Sequence, residues 1–190
     1  MANEIMREDF GELSRDDFGE EELERDQYLV FSVKSQEFGF QAMRVQEITA
    51  LLDATEVPNA PPYVEGIVNL RGRLATLISF RKKFGFDTRE HDEDTRVAIV
   101  EQHGFPIGIL VDAVEEVIKI PDEMVQELPE ATGMSASEES IIGVGMLDDR
   151  LVILLDVDKF LTKAEVIEAG AISQMMEEVR QKAEEAGMGD

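Results

Sequence analysis

The chain carries one pattern of residues twice, and this repetition limits the folds that it can adopt. Residues 45–48 read Val-Gln-Glu-Ile, and residues 114–117, 69 positions later, read Val-Glu-Glu-Val. Residues 66–70 (Gly-Ile-Val-Asn-Leu) match residues 143–147 (Gly-Val-Gly-Met-Leu), now 77 positions later. Two matches in the same order indicate a duplicated unit, with eight extra residues in the second copy.

Each copy contains the pattern of several short strands. Runs of aromatic and β-branched residues, separated by turns with Gly or polar residues, are typical of strands. The predicted strands cover residues 27–33, 38–40, 66–70, 74–80, 96–101 and 106–111. Residues 42–52 predict a short helix instead, with Met43, Gln46 and Glu47 on different faces. Residues 57–62 contain three prolines and predict an extended loop.

The number and length of these strands favour barrels. Four or five short strands in each copy are too few for an independent sandwich, whereas closing a small sheet removes its exposed edges. Two barrels of this size each have a thin core, so we expect them to pack together. The predicted fold is therefore mainly β, with two tandem barrels, short helices and a C-terminal helix.

The two ends of the chain differ in composition from its middle. Residues 1–26 hold 11 acidic and 3 basic residues, and Gly11 and Gly19 interrupt any helix, so we predict an acidic disordered tail. Residues 27–163 are the predicted domain, two intertwined barrel subdomains related by duplication. Residues 164–190 are predicted to form an amphipathic helix with a frayed end. We expect its apolar stripe to pack on the chain's own domain. The stripe consists of Phe160, Ala164, Ile167, Ala171, Met175 and Val179.

The formal net charge of −24 restricts the partners of the chain. Nucleic acids and anionic membranes are not expected to bind, because such binding depends on clustered Lys and Arg. The first 26 residues are too charged for a secretory signal. The longest aliphatic runs, of five residues, are far shorter than a membrane helix. We therefore expect a soluble, cytoplasmic protein.

The sequence lacks the usual groups of an enzyme active site. There is no Cys, which excludes thiol chemistry, disulfides and thiolate metal sites. The two histidines, His91 and His103, fall in a charged loop and a hairpin turn, where a solvated side chain is the simpler interpretation. Neither a Gly-rich phosphate loop nor a pair of histidines at metal-ligand spacing occurs. We predict no enzymatic activity, no cofactor and no metal.

One segment departs from the acidic character of the chain. Residues 69–86, called here the basic segment, contain no acidic residue and carry a charge of +5. Its bases either offset nearby acidic residues or form a contact surface for an acidic partner, and composition does not decide between these two interpretations. The five bases are Arg71, Arg73, Arg81, Lys82 and Lys83.

Within the basic segment, Arg71 lies where a predicted strand meets a turn. From there its guanidinium can form a two-pronged pair with a carboxylate on the neighbouring predicted helix. Glu47 is the candidate partner, because it lies on that helix. If partly buried, the pair would fix how the helix and the sheet meet.

Taken in order, the motifs resemble those of CheW-like chemotaxis coupling proteins, over about residues 25–168. The resemblance implies two five-stranded, SH3-like barrels and a scaffold with no catalysis of its own. It also implies two partners, the regulatory domain of the histidine kinase CheA and the cytoplasmic tip of methyl-accepting chemoreceptors. The matching segments are 27–31 (Gln-Tyr-Leu-Val-Phe), 45–48, 66–72 (Gly-Ile-Val-Asn-Leu-Arg-Gly), 111–114 (Val-Asp-Ala-Val) and 143–145 (Gly-Val-Gly).

The resemblance further implies which residues serve partner binding. In the second copy, Arg96, Val114 and Val117 align with the receptor-facing groove, where Arg96 replaces the small apolar residue that is usual in the family. Receptor binding would place apolar side chains of a helical hairpin in the cleft between the barrels. The first copy supplies positions used for signalling contacts or their support: Val45, Glu47, Ile48, Gly66, Asn69 and Arg71.

Three alternatives stand beside this prediction. The first is a coupling domain of the CheV type, which normally carries a receiver that the roughly 25 residues after the domain are too few to form. The second is a CheW-like adaptor in a non-motility signalling pathway. The third comes from another class, a regulatory barrel that binds a small anion at the basic segment.

Overall fold

The computed structural model describes residues 13–14, 25–128 and 138–187. Most of the tail that was predicted to be disordered lies outside these residues. Within it, Leu13–Ser14 form a short strand, which is paired with Glu47 and Ile48. The last three residues of the predicted frayed end also lie outside the described part.

The described residues form twelve strands and three α-helices. The six strands predicted from the sequence are found, with ends that differ by at most two residues. The strands are β1 (Leu13–Ser14), β2 (Gln27–Val33), β3 (Gln36–Gln41), β4 (Val45–Ala50), β5 (Val64–Leu70), β6 (Arg73–Ser79), β7 (Arg96–Gln102), β8 (Phe105–Val111), β9 (Ala113–Lys119), β10 (Val125–Gln126), β11 (Ile141–Met146) and β12 (Leu151–Leu155). The helices are α1 (Phe80–Lys83), α2 (Val157–Phe160) and α3 (Lys163–Glu185).

The strands form two sheets, and each sheet takes strands from both halves of the chain. Barrel 1 has the strand order β1-β4-β7-β8-β6-β5, and barrel 2 has the order β10-β11-β12-β3-β2-β9. The hairpin β2–β3, from the first half of the chain, therefore lies in barrel 2 with β9 to β12. The hairpin β7–β8, from the second half, lies in barrel 1 with β4, β5 and β6. Each exchanged hairpin is joined to its sheet by a parallel pair, β3 with β12 and β8 with β6. The two sheets are interlocked and cannot be separated by cutting the chain once.

Each sheet is closed by a segment that leaves a strand at or next to one edge and pairs at the far edge. Thr55, shortly after β4, exchanges two backbone hydrogen bonds of 2.8 and 2.9 Å with Ile67 of β5, at the far edge of barrel 1. In barrel 2, β10 follows β9 and pairs with β11 at the far edge. Each barrel has five longer strands and one of two residues. The predicted fold class, mainly β with two packed barrels, is confirmed.

The predicted helix over residues 42–52 is wrong. Only Ala42–Arg44 form a 3₁₀ turn, and the chain then continues as β4, paired with β7. The reason is a β-bulge between Val45 and Glu47, which places Val45 and Ile48 on one buried face although they are three residues apart. A three-residue apolar spacing is typical of a helix, so the bulged strand gives the same pattern in the sequence.

The largest buried cluster lies between the two barrels. It brings Phe31 and Phe38 of barrel 2 against Ile48 and Ile109 of barrel 1, with Phe80 of α1 among them. Each barrel has in addition a smaller cluster of its own. The main core is therefore shared, as expected from the thin core of each small barrel.

The apolar stripe predicted on the C-terminal helix does not pack on the domain. Phe160 is buried, but it belongs to α2, and the remaining members face outward on α3. These five residues, called here the α3 stripe, are Ala164, Ile167, Ala171, Met175 and Val179. The opposite face of α3 is buried on β6 through mostly smaller residues, because these allow a closer approach to the strand: Val166, Ala169, Gly170 and Ile172.

Candidate partner-binding surface

The predicted site residues of the first copy divide into buried supports and exposed groups. Val45 and Ile48 are fully buried in the shared core, so they cannot touch a partner directly. Glu47 lies between them on β4 and keeps part of its carboxylate in solvent. Asn69 and Arg71 are exposed at the end of β5. The buried side chains of Val45 and Ile48 therefore hold β4 in place, whereas the polar residues Glu47, Asn69 and Arg71 reach the surface.

Arg71 and Glu47 form the predicted ion pair, but through one hydrogen bond instead of the predicted two. Arg71 Nη2 donates to Glu47 Oε1 at 3.0 Å, with the arginine side chain 74% exposed and the glutamate side chain 18% exposed. The pair joins β4, which lies next to the edge strand β1, to the turn after β5 at the other edge of barrel 1, since Glu47 lies on a strand and not on a helix. It therefore acts across the closure of the barrel rather than between a helix and a sheet.

The turn between β5 and β6 directs Arg71 outward. Arg71 and Gly72 have φ angles of 53° and 91°, the pair of positive angles of a type I′ hairpin turn. Asn69 Oδ1 accepts a hydrogen bond of 2.7 Å from the Gly72 amide, which fixes the turn. On its other side the Gly72 carbonyl accepts a 3.1 Å bond from Arg180 of α3. Asn69 is thus a positioning residue for Arg71.

Gly66 has a structural reason to be glycine. Its φ is +149°, and a Cβ placed on it would lie 2.4 Å from the carbonyl oxygen of Thr55. Gly143, its match in the second copy, has the same environment, because a Cβ there would lie 2.7 Å from the carbonyl oxygen of Gln126. Both glycines follow a register shift in their strands. In each barrel the glycine therefore lies where the closing segment, at Thr55 or at Gln126, passes too close to the strand for a side chain.

The predicted residues of the second copy lie apart from Arg71. Val114 and Val117 are on β9 in barrel 2, opposite Phe31 and Leu29, and a bulge places them on one face. Both are partly buried against the shared core. Arg96 begins β7 in barrel 1, where its Nη1 donates to the carbonyls of Glu93 and Thr95.

Arg96 and Val114 nevertheless flank one crossing of the chain between the barrels. Arg96 is paired with Val111, the last residue of β8, and β9 begins at Ala113 in the other barrel. The structure therefore places the second-copy residues along the junction of the barrels, and the exposed first-copy residues on the closing edge of barrel 1.

The bases of the basic segment are mostly paired within the chain. Arg81 forms a two-pronged pair with Asp112, with distances of 2.8 and 2.6 Å. Burial raises the pKa of the Asp112 carboxyl, but hydrogen bonds from Arg81 and the Lys34 amide outweigh burial and hold this pKa below its ordinary value. Lys82 and Lys83 pair with Glu65 at 3.0 Å and Glu165 at 2.5 Å. Four of the five bases offset acidic residues locally, and this does not favour a small-anion site.

The sequence interpretation missed an apolar surface on barrel 2. Ile142, Met146 and Leu151 are large and exposed on β11 and β12, and Met146 lies directly opposite Leu151. The sequence pattern that could have revealed this surface is the alternation of glycines with larger apolar residues along β11. Glycines occupy its inward positions 143 and 145, where a Cβ at Gly145 would lie 3.1 Å from Ile120. The large apolar residues therefore occupy the outward positions, the reverse of the usual pattern.

Neither a cluster of metal ligands nor a membrane-spanning helix is found in the described residues. Among residues 25–128 and 138–187, no group of three or more His, Asp or Glu side chains is arranged to hold a metal ion. No helix within the described ranges is long and apolar enough to span a membrane.

The interlocked barrels, with an apolar sheet face and a charged turn exposed, define a binding scaffold. Residues 27–165 match the family model described as CheW-like domain, and the chain therefore belongs to the CheW-like domain family. A chemotaxis protein CheW of Klebsiella aerogenes is 31% identical over 140 residues, which cover 74% of this chain and 84% of that protein. A chemotaxis protein CheW of Helicobacter pylori is 33% identical over 137 residues, covering 72% of this chain and 82% of that protein.

A solved structure supports the same assignment. The scaffolding protein TtCheW from Thermoanaerobacter tengcongensis is 30% identical, with a TM-score of 0.66 over 74% of this chain and 95% of that chain. The family predicted from the sequence motifs, and the role of a chemotaxis adaptor that the resemblance implied, are thereby confirmed.

Proposed function

We propose that this chain couples methyl-accepting chemoreceptors to the regulatory domain of the histidine kinase CheA, as a cytoplasmic adaptor without catalysis of its own. The observation that carries the proposal is the match to the CheW-like domain over residues 27–165. The matched relatives are named as chemotaxis proteins, which favours this pathway over a non-motility one.

The exposed face of β11 and β12 is the proposed kinase contact. Its three large side chains are apolar: Met146 and Leu151 lie directly opposite each other, and Ile142 lies four residues before Met146 on β11. Exposed apolar patches on a folded surface are typical of protein interfaces. The proposed receptor contact is the junction of the barrels beside Arg96, Val114 and Val117, which would receive a helical hairpin of the receptor tip. Two separate faces allow one adaptor to hold both partners at once.

Binding to the kinase regulatory domain tests the proposal. We expect saturable binding of the regulatory domain from the same organism in a calorimetric titration, at low and at high salt. Leu151→Glu is expected to weaken this binding roughly tenfold or more, because it buries an unpaired charge in the interface. Circular dichroism should show an unchanged fold, since Leu151 is 59% exposed.

The matched control is Ile167→Glu on α3, because Ile167 is also 59% exposed but lies on another face. It should leave kinase binding unchanged. Equal weakening by both variants would contradict the assignment of the β11–β12 face. No binding by the folded parent protein at either salt concentration would contradict the coupling function itself.

Arg71→Glu is expected to weaken partner binding about tenfold, because the side chain uses one nitrogen for Glu47 and presents the rest of its guanidinium to a partner carboxylate. The loss of stability should stay below about 1 kcal/mol, since an exposed ion pair contributes little. Titrations against the kinase domain and the receptor tip, with thermal melts of each variant, measure the two effects.

The charge swap Glu47→Arg/Arg71→Glu separates pairing from direct contact. It restores the ion pair and should recover stability, but it should leave partner binding weak. Full recovery of binding in the swapped protein would show that the ion pair, and not the outward guanidinium, is what the partner requires.

A further inference from the structure

Helix α3 is held on barrel 1 by one face along its length. A Cβ at Gly170 would lie 2.6 Å from the ring of Phe105, so the helix backbone lies directly against that ring. Thr76 Oγ1 donates to the Ala169 carbonyl at 2.9 Å. The pair of Lys83 with Glu165 fixes the start of the helix, and the bond from Arg180 to Gly72 fixes its second half. The helix therefore cannot turn to bury its other face.

The α3 stripe lies on that other face and is exposed. Its large members, Ile167, Met175 and Val179, are between 52% and 59% exposed. The five residues from Ala164 to Val179 recur every three or four positions, and form a ridge about 22 Å long. A helix docked on one side only is expected to be polar on the other. Two apolar faces are typical of a helix that lies between two bodies.

The family match does not account for this ridge. It ends at residue 165, so all of the ridge beyond Ala164 lies outside the matched segment. The ridge lies on α3, whereas the surfaces assigned above to the coupling function lie on the turn that carries Arg71, on β11 and β12, and on β7 and β9. Arg180 of α3 donates to the Gly72 carbonyl of the Arg71 turn, but it is not a member of the ridge.

Charge determines what kind of surface can cover the ridge. Glu168 and Glu178 lie beside it, and neither forms an ion pair within the described part of the chain. Over its whole length α3 has six acidic and three basic residues. A second copy of the chain would bring the same acidic flanks and another net charge of −24, so like charges would oppose self-association.

We propose that the α3 stripe is the docking site for a basic amphipathic helix of a partner protein. Apolar side chains of the partner at three- and four-residue spacing pack between Ile167, Met175 and Val179. Lys or Arg residues at the edges of the partner helix meet Glu168 and Glu178, which steers association and fixes its orientation.

The test uses the full chain and synthetic helical peptides. The first peptide has Leu at the a and d positions of the heptad and Lys at e and g. The second replaces each Lys with Glu, and the third scrambles the first so that it has the same charge but no apolar face. Fluorescence anisotropy at near-physiological salt measures the affinity of each, because salt screens attraction that is not supported by contact.

We expect the Lys peptide to bind at least tenfold more tightly than the Glu and scrambled peptides. The variant Ile167→Ser/Met175→Ser/Val179→Ser keeps the charge of the chain, and should lose at least tenfold in affinity for the Lys peptide. The control Leu51→Ser/Met124→Ser/Leu128→Ser removes three side chains that are 41% to 45% exposed elsewhere, and should bind as the parent does. Circular dichroism of both variants verifies that α3 is intact.

Three results would overturn the proposal. Undiminished binding of the Lys peptide by the triple serine variant of α3 would reduce the interaction to general charge attraction. Equal binding of the Glu peptide would show that the covering helix is not basic. Concentration-dependent dimerisation in sedimentation, abolished by the α3 variant, would assign the ridge to a second copy of the chain.

Discussion

Replacing Phe80 with alanine is expected to lower the free energy of unfolding by about 3 to 5 kcal/mol, the largest effect of any single truncation proposed here. Phe80 is fully buried where the two barrels meet, so its removal leaves a cavity that neither barrel can fill alone. Urea unfolding followed by circular dichroism measures the loss. The ring centroid of Phe80 lies 5.2 Å from that of Phe31, 4.8 Å from Phe38, 4.3 Å from Phe84 and 5.8 Å from Phe160.

Phe86→Ala is the matched control for this truncation. Phe86 belongs to the same aromatic group but is only partly buried, with its ring 6.3 Å from that of Phe38. Its loss should cost roughly 1 kcal/mol, because solvent already reaches the site. Similar losses for Phe80 and Phe86 would mean that the centre of the shared core is no more important to stability than its edge.

Gly66→Ala is expected to destabilise the protein by about 3 kcal/mol, because the new Cβ combines an unfavourable φ with a clash. The φ of +149° is strained for any residue with a side chain, and the Cβ would lie 2.4 Å from the Thr55 carbonyl oxygen. Relief of the clash requires Thr55 to move, which breaks its two hydrogen bonds with Ile67. Thermal melts should therefore show a large fall, and partner binding should weaken with the loss of barrel closure.

Gly104→Ala separates the strain of the backbone from the clash. Gly104 also has a positive φ, of +84°, but a Cβ there meets nothing within 4 Å. It should cost about 1 kcal/mol, the price of the backbone angle alone. If both alanine variants lost the same stability, the contact with Thr55 would not explain why position 66 is glycine.

Much of the fold could be predicted from local patterns. The alternation and turn residues placed six strands within two residues of their observed ends. The duplication motif was recognisable because both copies face the same constraints: Gly66 and Gly143 each lie under a crossing carbonyl oxygen. The pair between Arg71 and Glu47 was also predictable, since it depends on opposite charge and reach rather than on whether Glu47 lies on a helix or a strand.

Other features depend on contacts that no local pattern records. The spacing of Val45 and Ile48 suits a helix and a bulged strand equally, and pairing with β7 selects the strand. The apolar surface of β11 becomes visible only in the structure, because the inward position of Gly145 makes room for Ile120 and leaves the large side chains facing outward. The role of Val45 and Ile48 as buried supports likewise becomes visible only once the core is assembled.

The sequence by itself determined the mainly β class, the duplicated motif, the hairpin turns and the family, because these depend on residues close together in the chain. The tertiary structure alone decided the exchange of hairpins between the barrels and the face on which α3 packs. Helix α3 has two apolar faces, the α3 stripe and the face that contains Gly170, and only one of them can pack on barrel 1. The face with Gly170 packs there, because the glycine lets the helix backbone lie directly against the ring of Phe105. Close packing on β6 and on Phe105 of β8, rather than the hydrophobicity of the larger stripe, therefore left Ile167, Met175 and Val179 exposed.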